Sequence, residues 1–164
     1  GYTKGMLADI KKQQQKLTNI VLSKMVEDAE PSLPEIALPD FRGDTVKLSS
    51  LRGKVILLDF WASFNQACLL ENQDFIRIYN SYHSRGFEIF QVSMDTEKEE
   101  WISSIETTNL PWINVSELDP SGSYVARIYN VTKIPANYLI NRDFEIVGKN
   151  LYGKKLERRI KELL

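Results

Sequence analysis

Hydrophobic positions change their spacing several times along the chain, and each change marks an element. From about Thr3 to Asp28, the residues Met6, Leu7, Ile10, Leu17, Ile20, Val21 and Met25 fall near helical spacing. Gln13, Gln14 and Gln15 interrupt this stripe, so it is thin and predicts a helix that must pack on something. Pro31 and Pro34 end it. The division this predicts is an N-terminal helical arm or linker over 1–30 and a compact domain over 31–164.

Within the domain the rhythm alternates between strand and helix. Glu35 to Lys47 predicts a short hairpin turning at Arg42-Gly43-Asp44, and Ser49 to Gly53 a turn or single helical turn. Lys54 to Trp61 is almost wholly apolar, as suits a central strand covered on both faces. Asn65 is a good helix cap before Gln66 to Ser84, which carries Leu69, Leu70, Phe75, Ile76, Ile78, Tyr79 and Tyr82 and stops at Gly86. Phe87 to Met94 is the next strand and Glu97 to Thr108 the next helix. Ile113 to Ser116 predicts a short strand, and Ser121 to Tyr129 a short helix capped by Ser121 or Asp119. Asn137 to Ile140 and Phe144 to Lys149 form a late hairpin, and Leu156, Ile160 and Leu163 line one face of a terminal helix over Lys154 to Leu164. The order strand–helix–strand–helix, hairpin, helix predicts an α/β fold. Its central mixed β-sheet has parallel strands from the βαβ unit, antiparallel strands from the late hairpin, and helices on both faces.

Composition narrows the function. The chain of 164 residues has 21 basic and 22 acidic side chains, a formal net charge of -1, and no Lys/Arg block, which argues against nucleic acid or an anionic membrane surface as partner. No apolar run approaches the ~20 residues of a membrane span, and no signal peptide pattern is visible. One Cys excludes an internal disulfide and a cysteine-based zinc cluster. One His, His83, argues against a metal site or a histidine-activated nucleophile, and nothing in the residues calls for a cofactor.

Several separated segments, in order, carry a family resemblance. They are Leu38-Pro39-Asp40-Phe41 with Gly43 to Ser49, Gly53 to Ser63, Gly86 to Ile89 continuing to Val92-Ser93-Met94-Asp95, and Tyr129 to Pro135 followed by Tyr138-Leu139-Ile140. Over about Pro31 to Leu164 the chain resembles the thioredoxin-like thiol-disulfide oxidoreductases of the TlpA/ResA type, which overlap with the AhpC/TSA group. The resemblance implies a thioredoxin-like fold, work outside the cytoplasm (periplasmic or membrane-tethered), and a cis-proline at Pro135. It also implies a dithiol motif where the central strand meets its helix. Here that junction reads Phe64-Asn65-Gln66-Ala67-Cys68, so Cys68 matches the second cysteine and Asn65 stands at the position of the attacking one.

A dithiol couple needs one sulfur to attack and another to resolve the mixed disulfide. Cys68 alone is either a small buried apolar residue or a residual thiol able to form one mixed disulfide. Asn65 cannot attack a disulfide but can cap the helix. Asp59 matches the family's buried acid and Glu71 the acid three residues after the second cysteine, positions implicated there in proton exchange with the thiols. The plain alternatives are a hydrogen-bonded carboxylate at a strand end for Asp59 and a solvated first-turn residue for Glu71. Ile134 and Pro135 would present a backbone edge beside the loop, and Phe64 an exposed aromatic, together forming a shallow groove for an extended protein or peptide client. Trp61, Trp101 and Trp112 are expected to pack.

Two readings of function lead. One is a redox-degenerate thioredoxin-fold module that binds protein or peptide and lacks dithiol turnover. The other is a thiol-disulfide oxidoreductase or isomerase acting through Cys68 alone. A peroxidase reading would need its cysteine at Asn65. The N-terminal helix is open to three roles: a linker, a packing arm, or a contact for self-association.

Overall fold

The computed structural model describes residues 5, 6, 8–15 and 33–164, and the chain divides into two compact units, residues 1–32 and 33–164. In the first unit Gly5, Met6 and residues 8–15 are helical (α1, residues 8–15). The rest of the expected arm, including Leu7, Leu17, Ile20, Val21, Met25 and Pro31, lies outside the described residues.

The second unit is built on one mixed sheet. Its strands, β3 (Val55–Trp61), β4 (Phe87–Ser93), β5 (Ile113–Ser116), β6 (Ala136–Ile140) and β7 (Ile146–Lys149), stand in the order β5-β4-β3-β6-β7. β3 pairs in parallel with β4, and β4 with β5, whereas β6 is antiparallel to both β3 and β7. A small separate hairpin of β1 (Ala37–Pro39) and β2 (Thr45–Lys47) precedes them. The helices are α2 (Gln66–Tyr82), α3 (Lys98–Thr108), α4 (Tyr124–Ile128) and α5 (Gly153–Leu163).

Strand periodicity divides the core between the two faces of the sheet. Val55, Leu57 and Trp61 of β3 pack with Cys68, Phe75, Ile78, Trp101, Ile105, Leu156 and Ile160, so α2, α3 and α5 cover one face. Ile56, Leu58 and Phe60 point the other way, onto Leu48, Val125, Tyr129 and Phe144. Every residue of β3 and β4 is buried, as expected of strands covered on both sides. All three tryptophans are buried.

Three local readings need correction. The short helix starts later than expected, because Ser123, not Ser121 or Asp119, caps it by accepting from the Ala126 N–H at 3.0 Å. Asp119 instead binds the N–H and hydroxyl of Ser121 in a local turn. Phe144 is not part of the last strand, for it sits at φ 63° in the turn and buries its ring.

Candidate functional site

The site forms where β3 delivers the chain onto the N-terminus of α2. Ser63 is tied down first: its N–H is shared between both oxygens of buried Asp95 at 3.2 Å, and its hydroxyl donates to Asp95 at 2.6 Å. Asp95 also accepts from the Ser93 hydroxyl at 2.5 Å. The loop is thus fastened to the end of β4. Asn65 then caps α2, its side-chain oxygen accepting from the Cys68 N–H at 3.0 Å. Phe64, between these two fixed points, is 72% exposed.

Cys68 lies on the inner side of the helix and is only 1% exposed. Its thiol is pushed up to about 11, chiefly by burial; a backbone hydrogen bond from Ala62 opposes this, and the negative charges of Asp59, Asp95 and Glu71 add to it. A helix N-terminus ordinarily favours thiolate. Here burial and three carboxylates outweigh it.

Beneath the motif a row of polar side chains crosses the sheet. Asn137, Asp59, Gln91 and Asn114 occupy paired positions on β6, β3, β4 and β5, and all are buried. Cross-strand partners share a face, and the parity of Asp59 with Val55, Leu57 and Trp61 puts the row under α2. The Gln91 amide donates to Asp59 Oδ2 at 3.0 Å and to Asn72 Oδ1 of α2 at 2.7 Å, and Gln91 Oε1 accepts from the Trp112 indole at 2.8 Å. Asn137 exchanges two bonds with the Leu151 backbone, which anchors the approach to α5. Asp59 Oδ1, Asn72 Nδ2, Asn114 Oδ1 and the Tyr152 hydroxyl are buried with no hydrogen-bond partner among the described residues.

Asp59 is 1% exposed, and its carboxyl is raised to about 8 by burial; the Gln91 bond opposes this and the charge of Glu71 adds to it. It is a buried carboxyl near the end of β3, hydrogen-bonded by Gln91. Glu71 is half-buried, and burial followed by the charge of Asp74 raises its pKa. Tyr152 is raised too, by burial and then by Asp59, Glu71 and Cys68.

Asp59, Glu71 and Cys68 are therefore one electrostatic cluster. The remaining expected residues are distributed differently. The Ile134–Pro135 peptide bond is cis. Ile134 is half-buried against both cores, and among the described residues neither of its backbone groups joins a loop or turn hydrogen bond. Pro135 lines a small hollow of about 150 Å³ with Thr132, Lys133 and Lys149. Phe64 lines a different, open groove of about 570 Å³ with Leu69 and the outer face of α3. Gln91, Asn72, Asn114, Tyr152 and the Ser63–Asp95 clamp were not anticipated. The signal for Gln91 was an amide set between Phe90 and Val92 inside a buried strand. Among the described residues no group of three or more His, Cys, Asp or Glu is placed to hold a metal, and no helix is long and apolar enough to cross a membrane.

The AhpC/TSA family model matches residues 30–149, most of the chain. The chain belongs to the AhpC/TSA family. Among curated relatives of this member, the thiol-disulfide oxidoreductase ResA of Geobacillus kaustophilus is 26% identical over 149 residues, covering 89% of this chain and 84% of its own. Among solved structures, the C-terminal domain of a putative thiol-disulfide oxidoreductase from Bacteroides thetaiotaomicron superposes with a TM-score of 0.75 at 30% identity, covering 82% of this chain and 94% of that one. A thioredoxin-like protein from Bacteroides vulgatus is 37% identical with a TM-score of 0.70, covering 80% and 86%. The fold is thioredoxin-like, of the TlpA/ResA type, within the thiol-disulfide oxidoreductase family.

Proposed function

We propose that this chain is a redox-degenerate member of its family that binds protein or peptide segments and does not turn over dithiols. The state of its one thiol carries this reading. Cys68 is buried, its thiol stays protonated at neutral pH, and Asn65 occupies the position from which a nucleophile would attack. The Asn65 carboxamide retains only the capping role, which explains how the start of α2 persists without a second thiol. In this reading burial, more than the neighbouring carboxylates, keeps the thiol neutral, and Asp59 and Glu71 do not exchange its proton.

What remains is surface. Phe64 projects from a loop fixed on both sides, and Ile134 offers backbone groups not engaged in local turns. An extended client would rest a side chain on Phe64 in the open groove beside α3, while Ile134 and Pro135 offer a separate backbone edge. Affinity without a covalent link is modest, because a small interface leaves little surplus over the entropy of association. The proposal includes a location outside the cytoplasm.

A disulfide-reduction assay with external reductant tests the redox half. The expected rate equals that of buffer, and turnover matching an intact dithiol relative overturns the reading. Asn65→Cys should introduce a reducible disulfide with Cys68. Fast native modification of Cys68 at neutral pH would favour the other reading, an oxidoreductase or isomerase acting through Cys68 alone.

A further inference from the structure

The groove that Phe64 lines has two unlike walls. One is apolar, formed by Phe64 and Leu69. The other is the outer face of α3, where positions 99/100, 103/104 and 107/108 recur at helical spacing opposite buried Trp101 and Ile105. This wall begins with the carboxylates of Glu99 and Glu100 and continues as hydroxyls, Ser103 and Thr107 among them. Among the described residues no Lys or Arg lines the groove. Glu99 and Glu100 are exposed, and neither joins an ion pair among the described residues.

We infer that this groove accepts an extended basic peptide segment, with an apolar side chain seated on Phe64 and Leu69 and a Lys or Arg paired with Glu99 and Glu100. The inference rests on the peptide-binding reading above and adds the chemical class of the client. The first argument is charge complementarity: among the described residues the groove carries two anions outside any ion pair and no cation, so an acidic segment is repelled and a basic one drawn in. The second is shape. The wall from Glu99 to Thr108 rises ~1.5 Å per residue over roughly 13 Å, the length of about four extended residues at ~3.3 Å each. Hydroxyls along that lane suit main-chain hydrogen bonding to a segment of any sequence, leaving selectivity to the apolar anchor and the charge. Placing the two acids in the first turn of α3 also complements the helix dipole. Dipole complementarity, however, accounts for neither the exposed Phe64 facing them nor the lack of a pairing cation.

Fluorescence anisotropy with three labelled octapeptides tests this on the full chain. Each carries one central Leu, flanked by two Lys, two Gln or two Glu. The Lys peptide should bind about tenfold tighter than the Gln peptide, and the Glu peptide weakest. Raising salt from low to molar strength should erase that order, since the pairs are exposed. The double change Glu99→Gln with Glu100→Gln should remove the preference and leave the Gln peptide unaffected. Phe64→Ala should weaken the Lys and Gln peptides alike. Ser103→Lys, on the exposed wall, should narrow the gap between the Lys and Glu peptides, since it sets one cation against the two glutamates. Equal binding of the three peptides, or a preference untouched by the Glu99 and Glu100 changes, overturns this inference while leaving the peptide-binding reading in place. Binding of none of them overturns both.

Discussion

Asp59 sets a pH dependence that no exposed carboxylate could. An unfolded Asp releases its proton near ~3.9, whereas the buried carboxyl holds it to about 8. Between those values the unfolded chain binds fewer protons than the folded one, so stability falls as pH rises from about 4 to 8, with a slope approaching ~1.4 kcal/mol per pH unit. Above the folded value both states are ionised and the loss is complete. Asp59→Asn keeps an oxygen for the Gln91 amide and removes the titration. Its denaturation free energy should be nearly flat over this range and exceed the parent's at pH 8; parallel profiles for parent and variant would sink the account. The same burial predicts slow native labelling of Cys68 by a thiol reagent at pH 7, rising sharply on unfolding. Asn65→Ala should cost about 1 kcal/mol through the lost cap, measured by urea denaturation.

At the scale of elements, the junction of β3 and α2 is held from outside as well as by its own cap. Asp95, at the end of β4, collects Ser63 and Ser93 donors that would otherwise be buried without partners. Asp95→Ala should therefore destabilise the domain by roughly 1–3 kcal/mol and speed native labelling of Cys68 by freeing residues 62–65. Asp95→Asn retains an acceptor and should fall between the two. Loss of stability with no change in labelling would show that Asp95 does not position the loop. Much of this scaffold was legible in the sequence, because a fully apolar Lys54–Trp61 run and an Asn before an apolar helix are local signals. The clamp was not, since it joins Ser63 to Asp95 across the sheet and neither residue breaks a local pattern. The polar row had the same obstacle: Asn137, Asp59, Gln91 and Asn114 lie far apart in the chain and meet only through strand register. The cap of α4 was misplaced because Ser121, Ser123 and Asp119 are all competent cap residues. Glu117 favours the later start by accepting from the Tyr124 and Val125 N–H groups.

For the whole molecule, residues 33–164 hold every described strand and both core clusters. Both faces of the sheet are covered within that unit, by α2, α3 and α5 on one side and by the hairpin, α4 and Phe144 on the other. The family match begins at residue 30, close to the division between the two units. A fragment of residues 33–164 should accordingly unfold cooperatively, with a Tm within ~4 °C of the full chain, the shift that about 1 kcal/mol produces at this size. It should keep Cys68 shielded, because the described residues of its core cluster, Trp61 and Phe75 among them, belong to this unit. Its peptide affinity relative to the full chain then measures what the arm contributes to the site. Tighter binding by the fragment would make residues 1–32 a competitor for the Phe64 surface, and unchanged binding would confine the arm to linking or self-association. A fragment that melts without cooperativity would instead make the arm part of the folding unit, and the division at residue 32 would fail as a domain boundary.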